Sequence, residues 1–121
     1  IDDSYNASPS SVRAAIDVLS SSAGRKVLVL GDMAELGVDA EKLHREVGDY
    51  ALQAGIDALY TLGNLSAFAS TAFNGVHFEN LDLLKVALLE EGKSSDLTML
   101  VKGSRSSQMD LVVDILLAEK S

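Results

Sequence analysis

A chain of 121 residues, 47% hydrophobic with only three phenylalanines, is long enough to bury one aliphatic core without disulfide or metal staples. Eighteen acidic against ten basic residues leave a net charge of −8, which excludes the broad cationic footprint of a nucleic-acid binder. Cysteine is absent, which removes disulfides and thiolate metal sites, and no apolar run approaches the ~20 residues that span a bilayer. The chain opens on Ile1, already strand-like and without a signal-peptide pattern, as expected of a piece of a longer protein.

In chain order, residues 1–3 form the first candidate strand. Ser8-Pro9 sets a capping hydroxyl before a proline suited to a first helical turn, and Val12, Ala15, Ile16 and Leu19 follow at i, i+3, i+4 and i+7. A second strand is read at 26–30, followed by a helical stripe of Leu43, Val47, Tyr50, Ala51 and Ala54. Residues 58–62 form a third strand, with a shorter helix over 65–72. The fourth strand, 76–78, leads into a helix marked by Leu81, Leu84 and Leu88. A fifth, 97–101, stops abruptly at Lys102-Gly103-Ser104-Arg105. Ser107 and Asp110 then match a capping box, opening a last stripe of Met109, Val112, Val113, Leu116 and Leu117. Gly24, Gly55 and Gly92 follow helical stripes, where a C′ glycine belongs.

Strict alternation of strand and helix implies parallel strands joined by right-handed crossovers. The fold class is therefore α/β, a Rossmann-like three-layer αβα domain with a mainly parallel sheet of about five or six strands. Ligands of such open sheets bind outside the carboxyl ends of the strands. Four segments fall there: 2–9, 31–37, 63–66 and 102–107.

The loop at 102–106 joins a cationic pair to a glycine at a helix N-terminus, where N–H groups and the helix dipole attract anions. Arginine adds a two-pronged grip on a carboxylate or phosphate, and the bland alternative is a capped helix with a solvated Lys and Arg. Residues 2–9 could offer a carboxylate to ribose hydroxyls and polar groups to an adenine, or simply form an Asx-turn into a proline-started helix. Asp32 and Glu35, between Gly31 and Gly37, could bind an ammonium group, hold Mg²⁺ through water, or stand unused. His44 lies four residues before Gly48, on one helix face, and a structural role is its default reading. Gly92-Lys93-Ser94 imitates the end of a phosphate-binding P-loop, but Ala87 occupies the first glycine position and a helix precedes it. The dinucleotide fingerprint G-x-G-x-x-G is absent too, so any nucleotide site must be shared.

Three motifs stand in order: Asp2-Asp3-Ser4-Tyr5-Asn6-Ala7 with Pro9; Gly31-Asp32-Met33-Ala34-Glu35-Leu36-Gly37 followed by His44 and Gly48; and Leu100-Val101-Lys102-Gly103-Ser104-Arg105. Together they resemble the C-terminal domain of the Mur ligases, over essentially the whole chain. Within that family they are most similar to the branch adding D-alanyl-D-alanine to UDP-N-acetylmuramoyl-tripeptide. Ser8 departs from the pattern, since the family commonly has Asn there.

The resemblance implies a three-domain cytoplasmic enzyme of peptidoglycan precursor synthesis, an ATP-dependent amide-bond-forming ligase. Its N-terminal domain holds the UDP-sugar, its central domain carries the P-loop, the Mg²⁺ sites and a modified lysine, and its C-terminal domain closes over both. ATP phosphorylates the tripeptide carboxylate, and the dipeptide amine attacks the acyl phosphate. Residues 1–121 would be the last domain alone, without a catalytic residue or metal site of its own and inactive in isolation. ATP and Mg²⁺ would be bound mainly by the central domain. Asp3, Tyr5 and Asn6 are implied to face the nucleotide. Lys102, Ser104 and Arg105 would meet the dipeptide carboxylate, Asp32 or Glu35 its amine, and His44 would support the site. The implied partners are D-alanyl-D-alanine, UDP-N-acetylmuramoyl-tripeptide, ATP and the other two domains, with neither nucleic acid nor membrane insertion.

A phospho-receiver signalling domain is the alternative from another class. Asp2, Asp3 and Lys102 fit its outline of paired acids after the first strand and a lysine ending the fifth. Against it, a receiver needs a phosphoaccepting Asp after the third strand, where this chain reads Thr61-Leu62-Gly63-Asn64. Lys102 is also followed by Gly rather than the receiver's usual Pro.

Overall fold

Val27, Leu28, Val29 and Leu30 form an apolar run with no polar face, as a strand covered on both sides requires. In the computed structural model, which describes residues 8–93 and 96–103, this run is the middle of β1 (Arg25–Gly31), and all four side chains are buried. β1 pairs in parallel with β2 (Ala58–Leu62) on one side and β4 (Leu97–Lys102) on the other. β3 (Val76–Phe78) joins β2, so the order is β3-β2-β1-β4.

Four helices connect or precede these strands: α1 (Pro9–Ser20), α2 (Ala40–Gln53), α3 (Ser66–Phe73) and α4 (Leu81–Glu91). The pleat decides which layer each β1 residue meets. Leu28 and Leu30 pack among Val12 and Ile16 of α1, Val47 and Ala51 of α2, and Ala69 and Phe73 of α3. Val27 and Val29 face the other way, with Leu62, onto Leu84 and Leu88 of α4. The result is the expected three-layer α/β architecture.

Among the described residues the sheet has four strands, fewer than the five or six read from the sequence. The candidate strand at 1–3, the capping box of Ser107 and Asp110, and the helical stripe at 109–117 lie outside the described residues. Ser8 caps α1: its Oγ accepts the Ser11 N–H at 3.2 Å, and its own N–H donates to Ser11 Oγ at 2.9 Å. A reciprocal capping box thus occupies the position where the sequence departs from the family pattern, and Asn is an equally good cap.

The glycine punctuation is only partly as read. Gly55 follows the C-cap of α2 with φ 83, as a C′ glycine should. Gly24 lies further beyond its helix, at the entry to β1. Gly92 is itself the C-cap of α4, with a right-handed φ of −65: its N–H still reaches Leu88 O, so no reversal occurs there. The left-handed cap of α3 is instead Asn74.

Parallel pairing brings the carboxyl ends of the strands to one rim. Leu30 is opposite Lys102, Gly31 opposite Leu62, and Leu62 opposite Phe78. Behind that rim α2 and α3 pack almost backbone to backbone, because a Cβ on Gly48 would collide with the Ala69 carbonyl. Gly48→Ala should therefore lose stability, although alanine is the better helix former by ~1 kcal/mol. Overpacking against backbone sets the sign, and a net loss of ~1–3 kcal/mol is expected from the denaturant midpoint.

Candidate functional site

β1 delivers Asp32 to the rim, where its carboxylate is committed to backbone. Oδ1 accepts the Ser66 N–H at 2.8 Å and Oδ2 accepts the Asn64 N–H at 3.0 Å. Ser66 is the first residue of α3 and Asn64 lies just before its N-cap, Leu65, which offers no side-chain acceptor. Asp32 therefore caps α3 from a distant loop, with its charge at the favourable end of the helix dipole. Burial pushes its carboxyl up, but the N–H groups of Ser66, Asn64 and Leu65 outweigh that and hold it below the ordinary carboxylate range. Gly63 makes room: its φ is +125, and a Cβ there would lie 2.5 Å from Asp32 Oδ1.

The next residue is pinned from the opposite side. The Met33 N–H donates to His44 Nε2 at 3.0 Å. His44 Nδ1 lies 2.7 Å from Ala40 O, and a carbonyl only accepts, so Nδ1 carries the hydrogen and Nε2 the lone pair. The ring is wholly buried, at 0% exposure. His44 and Gly48 do share a buried face of α2, as their spacing predicts. Beyond Met33 the chain turns outward. Ala34 and Glu35 are exposed, Glu35 takes a left-handed φ of 61, and Gly37 another of 67 before α2 begins.

Lys102 ends β4 and is 3% exposed, so the solvated-lysine reading of this junction fails for it. Its backbone neighbour is Leu30, two residues before Asp32, which places a buried cation and a buffered carboxylate on adjacent strand ends. The remaining candidates, Asp3, Tyr5, Asn6, Ser104 and Arg105, lie outside the described residues. Among the described residues no group of three His, Cys, Asp or Glu is placed to hold a metal ion. Both oxygens of Asp32 are already engaged by backbone amides.

Two contacts were invisible in the residue pattern. The bond from Asp32 to the 64–66 turn spans more than thirty positions. The weak start of α3, with Leu65 at its cap, is the sequence hint that an acceptor must come from elsewhere. The second contact joins Thr61 Oγ1 to His77 Nδ1 at 2.6 Å across the β2–β3 ladder.

Comparison with known proteins fits this frame. The family model described as "Mur ligase, glutamate ligase domain" matches residues 1–105. The chain belongs to the Mur ligase family. Its relatives in that family include the UDP-N-acetylmuramoyl-tripeptide–D-alanyl-D-alanine ligase of Escherichia coli K12, 45% identical across 96% of this chain. The enzyme of the same name from Bacillus subtilis 168 is 40% identical across 97% of it. These matches cover 26% and 27% of the relatives, so the chain spans about a quarter of their length. A crystal structure of MurF from Acinetobacter baumannii superposes with a TM-score of 0.83 at 30% identity, covering 96% of this chain and 27% of that one. The receiver alternative has no support among these Mur ligase matches. The end of β2 also offers no acid, and Thr61 is buried and bonded to His77.

The Asp32 carboxyl contributes stability that is complete above its unfolded pKa of ~4 and is lost as pH falls through the lower folded value. Asp32→Ala should cost ~1 kcal/mol at pH 7, in the range of a lost cap at a half-exposed site. Chemical denaturation from pH 7 downward should show the gap from wild type closing below pH ~4.

Proposed function

We propose that this chain is the C-terminal domain of a cytoplasmic ATP-dependent ligase that adds D-alanyl-D-alanine to UDP-N-acetylmuramoyl-tripeptide. The reading rests above all on 45% identity across nearly the whole chain to a ligase of that name. The rim geometry supports it, because an incoming dipeptide carries a carboxylate and an amine, and the rim carries groups of both signs.

ATP supplies the phosphoryl group that makes the tripeptide carboxylate an acyl phosphate, with Mg²⁺ held by the central domain. The work of this domain is orientation. Lys102, at the end of β4, with Ser104 and Arg105 just after it, receives the dipeptide carboxylate. Arginine suits that task through its two parallel N–H donors. Asp32 is held by the α3 turn, which leaves Glu35, exposed on the same loop, to orient the amine. Asp3, Tyr5 and Asn6 serve the nucleotide side of the cleft. Holding both ends of the dipeptide aims its amine at an acyl phosphate presented by the other domains, an effect that can be large.

Arg105→Ala in the full-length enzyme should raise the KM for D-alanyl-D-alanine strongly, since losing a hydrogen-bonded charge partner costs ~2–5 kcal/mol where the pair is buried and less where it is wet. Arg105→Lys should stay impaired, because a single ammonium does not replace the fork. The KM for ATP should move far less. A shift in the ATP constant with the dipeptide constant untouched would reassign the junction to the nucleotide. The isolated 121-residue chain should not turn over ATP, and phosphate release above a mock preparation would contradict this.

A further inference from the structure

Met33 and His44 bear on how Glu35 is held at the rim. The loop after β1 has two left-handed residues within three positions, Glu35 and Gly37, and nothing in its own sequence forces that path. Three contacts fix its first half: the Asp32 carboxylate on the α3 turn, the buried Met33 side chain, and the Met33 N–H on His44 Nε2. The inner face of α2 is otherwise apolar or glycine, with Val47, Gly48 and Ala51 buried beside His44. Packing alone would be served by an apolar ring at this position. A fully buried imidazole is tolerable there because both nitrogens are bonded, one within α2 and one to the loop.

We infer that His44 is a positioning residue for the dipeptide step, its Nε2 lone pair setting the path of the loop that carries Glu35. The inference rests on the functional reading above. His44 has no free nitrogen and no exposure, so it acts through Met33 and not on substrate. Removing the acceptor leaves a buried amide unpaired, and the loop relieves this by shifting, which moves Glu35 relative to Lys102.

Two variants of the full-length enzyme separate the hydrogen bond from the packing. His44→Phe keeps a ring in the site and abolishes the acceptor. His44→Gln offers an amide oxygen near the Nε2 position. The phenylalanine variant should raise the KM for D-alanyl-D-alanine roughly tenfold, the scale of one lost buried hydrogen bond. Its KM for ATP should hold within about twofold, with glutamine recovering part of the loss. Equal shifts in both constants, or no shift in the dipeptide constant, would overturn the inference and leave His44 a packing residue. An independent readout is the scalar coupling between the Met33 amide nitrogen and His44 Nε2 in nitrogen-15-labelled wild-type enzyme. The coupling is expected, and its absence overturns the inference even if the phenylalanine variant does not fold. A wild-type enzyme unable to use D-alanyl-D-alanine would sink the functional reading itself, before any His44 variant is compared.

Discussion

The double burial of β1 is the constraint on which the rest of the domain depends. A strand covered on both faces has no solvent side to spare, so its polar partners collect at its two ends. At the start, the Lys26 N–H donates to Asp57 Oδ2 at 2.8 Å, and Arg25 forks onto Glu91 at 2.7 and 2.9 Å. At the finish, Asp32 is gripped by the α3 turn. Carboxylates from the turn before β2, from the end of α4 and from the loop after β1 thus anchor one strand. The parallel register with β4 places Lys102 beside Leu30 at the rim.

An acidic chain has to keep such anchors from repelling one another, and it does so by giving each a local donor. Arg25 is the main reason Glu91 sits below the ordinary carboxylate range; burial opposes the shift, and the Tyr60 hydroxyl, 2.6 Å away, assists it. Tyr60 in turn is pushed up, first by burial and then by Glu91. Glu91 is only 9% exposed, so this fork resists salt screening better than the exposed Arg45–Glu41 and Lys93–Glu90 pairs, each of the ~0–1 kcal/mol kind. The cluster ties the last turn of α4 to the strand starts, at the pole opposite the rim. The two ends of β1 are thereby fixed independently.

How much of this was legible follows the range of the interactions. The strands at 58–62 and 76–78 and the helical stripes of α1, α2 and α4 were readable because their periodicity is local. The candidate residues at the rim were found because parallel β–α alternation determines where loops gather. Asp32 shows the limit: its type and loop position suggested an amine partner, whereas its bonds run to a turn that no local pattern connects to it. Lys102 is similar, since its burial depends on pairing with β1 and not on its neighbours in sequence. Gly92 misled for a different reason. Glycine permits a left-handed cap without requiring one, and α4 ends in an ordinary right-handed turn.

The contact between Gly48 and the Ala69 carbonyl has a mechanical consequence. With no side chain between them, α2 and α3 cannot slide past one another without driving an atom into backbone. The loop carrying Glu35 runs into α2, and the turn that grips Asp32 opens α3. Both therefore ride on a single stiff unit. Any rigid rotation of the domain would carry the acid loop and its clamp through the same arc, with their spacing preserved.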